Sequence, residues 1–119
     1  MGACFHSAYT VEQVEEVKDF EYLISTDVDF YKEMLVSAKN DKLEKDYSKK
    51  EKKINFISLV INQLQIIIQK VKKYNTKKET PEKLKILKEN YQKAINSINL
   101  IDENKFMDYI NQIFPILDE

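Results

Sequence analysis

Glycine is almost missing from this chain: Gly2 is the only one among 119 residues, and proline occurs only at Pro81 and Pro115. Between Ala3 and Thr80 neither residue appears. Without glycine there is no phosphate-cradling loop and no dinucleotide-binding turn. Without either residue, the punctuation of strands, hairpins and tight turns is gone as well. Arginine is absent too, so all nineteen basic residues are lysine. Lysine lacks the planar fork that reads guanine edges and grips phosphates bidentately, which disfavours sequence-specific nucleic-acid recognition. Cys4 is the single cysteine and His6 the single histidine. An intramolecular disulfide is therefore excluded, and the pair makes half a zinc site at best. The same two side chains form the one nucleophile–base pair on offer, but they sit two residues apart near a terminus, and a loose terminal pair is the competing reading. The longest apolar run, Leu64 to Val71, is broken by Gln65, Gln69 and Lys70, so no membrane-spanning segment is expected.

What is present points to helices. Apolar residues make up 43% and charged residues 33%, enough for one striped core and a well-solvated exterior in a single domain. Residues 1–9 read as a flexible N-terminus, and 10–119 as one helical-bundle domain. Thr10 with Gln13 forms a capping-box pattern that starts a helix near Val11. Its stripe is Val14, Val17, Phe20, Ile24, Val28, Tyr31, Leu35 and Ala38. Ser25, Thr26 and Asp27 interrupt it chemically, so a kink or split near 25–27, giving five helices, is the alternative. Ser48 with Glu51 predicts a second helix from about Lys49. Its broad stripe is Ile54, Ile57, Ile61, Leu64, Ile68 and Val71, flanked by Phe56, Val60 and Ile67.

Residues 72–80 read as a loop. Thr80-Pro81-Glu82 is a helix start: an N-cap hydroxyl, a proline at the first helical position and an acid in the first turn. The stripe there is Leu84, Leu87, Tyr91, Ala94, Ile98 and Ile101. Asp102 caps a fourth helix carrying Phe106, Ile110, Ile113 and Leu117, which should fray near Phe114 because Pro115 follows. Short connections make neighbours antiparallel, so the expected fold is all-α, an up-down-up-down four-helix bundle with shallow crossings.

Charge is segregated along the chain. Residues 1–38 carry a net −6, residues 39–101 a net +9 and residues 102–119 a net −4. Glu12, Glu15, Glu16 and Asp19 share one side of the first helix, a candidate acidic face for a cationic partner. Paired carboxylates also serve acid–base chemistry or divalent metals, but no Glu-x-x-His motif accompanies them, and a plain solvated face is the blander reading. Lys49, Lys50, Lys52 and Lys53 cluster at one end of the second helix, and Lys72, Lys73, Lys77 and Lys78 beyond the other. Either cluster could attract nucleic acid or anionic lipid, though the two lie too far apart for one footprint; solubilising helix ends are the alternative. Met1-Gly2-Ala3-Cys4 raises lipid attachment at Cys4, as in a bacterial lipoprotein whose leader has been removed, against an unstructured start.

The segment Thr80-Pro81-Glu82-Lys83, leading into an Ile- and Ala-striped helix, resembles the helix starts of small four-helix bacterial immunity proteins over a minor part of the chain. That resemblance implies a bundle that guards its producer against a peptide toxin. The expectation is thus a non-enzymatic bundle that binds a protein or peptide, with no metal and no cofactor. A lipid-anchored bundle tethered through Cys4 is the second reading, and nucleic-acid or anionic-membrane binding through lysines the third. The location stays open between the cytoplasm and, if Cys4 is a mature N-terminus, lipid anchorage at the cell surface.

Overall fold

The computed structural model describes residues 11–74 and 81–118, with side chains from 15 to 73 and from 82 to 118. Four α-helices account for nearly all of them, and no strand occurs among the described residues. They are α1 (Val11–Lys39), α2 (Tyr47–Tyr74), α3 (Pro81–Ser97) and α4 (Glu103–Leu117), with a single 3-10 turn, Ile98–Leu100, between the last two. The expected all-α four-helix bundle is what forms.

Helix α1 runs without a break through Ser25, Thr26 and Asp27. Each polar side chain that might have capped a new helix is used otherwise. The Thr26 hydroxyl donates back to the Tyr22 carbonyl at 2.9 Å, a bond compatible with continued helix. Asp27 accepts a hydrogen bond from the Tyr91 hydroxyl of α3.

The start of α2 differs from the sequence expectation by two residues. Asp46, not Ser48, caps it: its carboxylate accepts from the Lys49 amide at 3.2 Å, and its carbonyl from the Lys50 amide at 3.0 Å. Both residue types suit an N-cap, and the turn that precedes α2 delivers the chain to Asp46, which leaves Ser48 one residue inside the helix. Asp41 and Glu44 organise the preceding connection, accepting from the amides of Leu43 and Asp46.

At the other corner, α3 does not carry its stripe through to Ile101. The chain tightens into the 3-10 turn, and Ile101 adopts φ 49° and ψ 41°, the only positive φ among the described residues. Its amide closes onto the Ile98 carbonyl at 3.0 Å. Asp102 then caps α4 as expected, accepting from the Lys105 amide at 3.1 Å. Helix α4 continues past Pro115 to Leu117 rather than fraying at Phe114. Proline removes one hydrogen bond there, but Leu117 is buried and the Asp118 amide bonds the Phe114 carbonyl at 2.9 Å, which holds the final turn closed.

Cross-helix pairs define the arrangement. Glu16 and Lys88, then Phe20 and Tyr91, align α1 with α3 in the same direction. Phe56 against Phe106 at one end, and Lys70 against Asp118 at the other, align α2 with α4. Consecutive helices therefore run antiparallel, up-down-up-down. The stripes converge on one core in which Val17, Leu64, Leu87, Phe106 and Ile110 are fully enclosed. Helix α2 faces its broad stripe inward and carries Asn62 and Gln65 outward. Its span Tyr47–Lys73 is also long and apolar enough, at mean hydropathy 1.3 over an 18-residue window, to cross a membrane by length and composition. That corrects the expectation drawn from the interrupted Leu64–Val71 run, because the interrupting glutamines are uncharged and the dense Ile, Leu, Val and Phe around them keep the window average up. Here its apolar stripe lies in the core of the bundle.

The α1–α2 hairpin is the longer of the two. At the α3–α4 corner, Ile98 and Asn99 share a cavity with Phe30, Tyr31 and Met34 of α1 and Lys53, Phe56 and Ile57 of α2, and Leu100 and Ile101 reach on to Ala38, Lys49 and Lys50. Beyond these residues the tip of the hairpin projects, with Leu43 and Tyr47 exposed.

Candidate functional site

The projecting end of the hairpin leaves a step, and the step is where polar and apolar chemistry converge. One cleft of about 460 Å³ lies beneath it, walled by Lys49, Lys50, Lys52 and Lys53 and floored by Ala38, Leu100 and Ile101. Asp41 and Glu44 close its rim. The lysines converge for a simple reason. Asp46 starts the helix at Tyr47, which places positions 49, 50, 52 and 53 in the first two turns, beside Leu100 and Ile101 of the α3–α4 corner.

Two of these lysines are committed. Lys50 donates to the Asp41 carbonyl at 3.0 Å, and Lys49 lies 3.9 Å from the Glu44 carboxylate. Lys52 and Lys53 are exposed and make no ion pair with the described residues. The cluster's positive field therefore remains only partly neutralised.

A second, mostly apolar cavity of about 270 Å³ adjoins the first. Phe30, Tyr31 and Met34 form one wall and Ile98 and Asn99 the other. Lys53 and Ile101 line both cavities, so they mark the join of one continuous groove. Apolar surface is unusually open around it. Phe30 is 55% exposed, Leu100 59% and Ile101 40%, and at the hairpin tip Leu43 is 90% and Tyr47 77% exposed. Ile101 is held in a left-handed conformation that β-branched residues avoid, and that strain presents its side chain at the groove's centre.

The remaining sequence candidates are placed apart from this groove. Glu15, Glu16 and Asp19 lie exposed on the first turns of α1, at the far end of the bundle, and Lys88 comes within 4.0 Å of Glu16. The Glu12 side chain lies outside the described residues. Lys72 and Lys73 are exposed at the end of α2, about 30 Å from the first cluster along one unbroken helix. Cys4, His6, Lys77 and Lys78 lie outside the described residues. Among the described residues, no group of three or more His, Cys, Asp or Glu side chains could hold a metal ion.

Sequence reading missed two features. One is the role of Leu100 and Ile101, because the 98-to-101 step looks like one more helical interval. The other is the polar contact between α1 and α3. Tyr91 is 1% exposed, donates its hydroxyl to Asp27 and packs edge-on against Phe20 at 5.3 Å. Burial, then the bond to Asp27 and its negative charge, drive the Tyr91 hydroxyl far above its ordinary titration range. Tyr31 is pushed up by burial and, secondarily, by Asp27. The two tyrosine hydroxyls keep their protons at any physiological pH, and what the Tyr91–Asp27 contact supplies is alignment of α1 with α3. Compared with known proteins, the chain matches no family model, no curated protein and no solved structure.

Proposed function

We propose that this chain is a non-enzymatic binding module, a helical bundle whose working surface is the projecting end of the α1–α2 hairpin and whose partner is a protein or peptide. The observation that carries the reading is the groove itself: a concave surface that joins open apolar side chains to a cluster of lysines. Apolar surface open to water costs about 25 cal/mol per Å², so its concentration at one end is a marker of association. The lysines would speed encounter with a negatively charged partner and select against a positive one. This surface supports the reading better than the acidic face of α1, whose Glu16 is already approached by Lys88.

Photo-cross-linking in cells of the source organism tests it. A photoreactive residue in place of Tyr47 should trap a discrete protein adduct, lost when extracts are prepared at about 0.5 M salt before illumination. The same residue in place of Ile66, an exposed position midway along α2, should not. Equal trapping at both positions, or none at Tyr47, would remove the proposal.

A further inference from the structure

We infer that the groove's occupant is an acidic amphipathic helix of another protein, laid across the step as a fifth helix. The inference rests on the reading above and specifies its partner. Three observations lead to it.

The first is the groove's composition along its length. Its inner half, between Phe30, Met34 and Ile98, is apolar, and its outer half carries four lysines against the two carboxylates of Asp41 and Glu44, with Lys53 and Ile101 at the join. A matching ligand carries apolar side chains on one flank and negative charge on the other. Those two requirements describe an amphipathic acidic segment.

The second is charge. Lys49 and Lys50 are engaged by Glu44 and by the Asp41 carbonyl, whereas Lys52 and Lys53 make no ion pair with the described residues. Complementary carboxylates on the occupant would meet these two. A second copy of this chain packed end to end about a two-fold axis would bring lysines against lysines, and like charges facing one another are unfavourable.

The third is backbone chemistry. The groove is walled by helices and a 3-10 turn, so no sheet edge offers a ladder of amides and carbonyls to an extended strand. A ligand buried against such walls must satisfy its own backbone groups, and a helix does so internally. The groove's concavity favours a rod over a flat bilayer. A bilayer would meet the protruding Leu43 and Tyr47 before it reached Ile101.

Binding by the full-length chain of a fluorescent synthetic helix, about 18 residues long, provides the test. The helix carries leucine at positions i, i+3, i+4 and i+7, with glutamate on the flanks. A composition-matched scramble, a lysine-for-glutamate analogue and vesicles of phosphatidylserine and phosphatidylcholine serve as comparisons. The expected result is saturable binding of the first peptide alone, weakened about tenfold or more by the double substitution Lys52→Glu and Lys53→Glu. Ile101→Ala should weaken it comparably, and Lys72→Glu, at the other end, should leave it unchanged. Helical circular dichroism reports that each variant folds.

Equal affinity for the scramble, or indifference to Lys52 and Lys53, would overturn the inference. So would binding of the vesicles in preference to the peptide, or self-association through this end in sedimentation. If the peptide fails while cross-linking from Tyr47 still traps a protein, the occupant has been misassigned and the binding-module reading stands. If cross-linking fails as well, the reading itself falls.

Discussion

Ile101 combines two properties that rarely coincide: a backbone conformation suited to glycine and a branched side chain left substantially in water. In the left-handed region the Cβ crowds its own backbone, at a cost of about 1–2 kcal/mol. Truncation separates strain from side-chain contacts. Ile101→Gly should be more stable than Ile101→Ala by about 1 kcal/mol in urea denaturation, the reverse of the order at an ordinary helical position. An alanine variant as stable as the glycine variant would show that no strain resides there. Tyr91 offers the opposite case, a polar group enclosed by the core. Tyr91→Phe should cost about 1–2 kcal/mol, because half-buried Asp27 loses its donor. The sign of the pH effect follows from Tyr91 titrating above 10 when folded. Below pH 10 both states keep the proton and the stability is fully present. As pH rises past that value the unfolded chain releases its proton first, so stability declines towards the folded value. Urea titrations from pH 8 to about 11 should show this decline in the native sequence, and a shallower one, owed to Tyr31, in Tyr91→Phe.

At the scale of elements, the sequence was most legible where apolar spacing and capping agreed. Phe106, Ile110, Ile113 and Leu117 are all buried on α4, and Asp102 caps that helix as its residue type suggests. Legibility failed where two nearby residues competed for one role. Asp46 and Ser48 both suit an N-cap, and nothing local ranks them; the turn made by Asp41 and Glu44 decides by delivering the chain to Asp46. Asp46→Ala should therefore cost about 1 kcal/mol, whereas Ser48→Ala should change stability by no more than about half that, measured by thermal denaturation. At the α3–α4 corner the spacing from Ile98 to Ile101 matches a helical step, so periodicity alone could not foretell the 3-10 turn. The termination depends on Asp102 opening the next helix, a constraint from beyond the stripe. The groove was illegible for a related reason: it arises from unequal hairpin lengths, and no single segment encodes that difference.

On the scale of the whole molecule, the bundle divides into a four-helix section and a two-helix extension. Core residues of the first are enclosed on all sides, such as Leu64 and Ile110. In the extension, α1 and α2 meet each other and, beyond that, only the corner residues around Leu100 and Ile101. Opening free energy follows packing, so hydrogen exchange should be graded along single helices. Amides of residues 50–53 in α2 should exchange at least about a hundredfold faster than those of residues 61–67 in the same helix, as measured by native-state exchange. Uniform protection along α2 would mean that the hairpin stands rigid without its neighbours. A pliable end of this kind suits a surface that must close around a ligand, since it can adjust without disturbing the four-helix section.

The projection of the hairpin also bears on how such a chain can change over generations. Because the side chains of Lys52, Lys53, Leu43 and Tyr47 are exposed rather than part of the core, substitutions among them sacrifice little folding free energy. A lineage could rewrite its recognition surface residue by residue, tracking a drifting counterpart, while the scaffold beneath stayed intact.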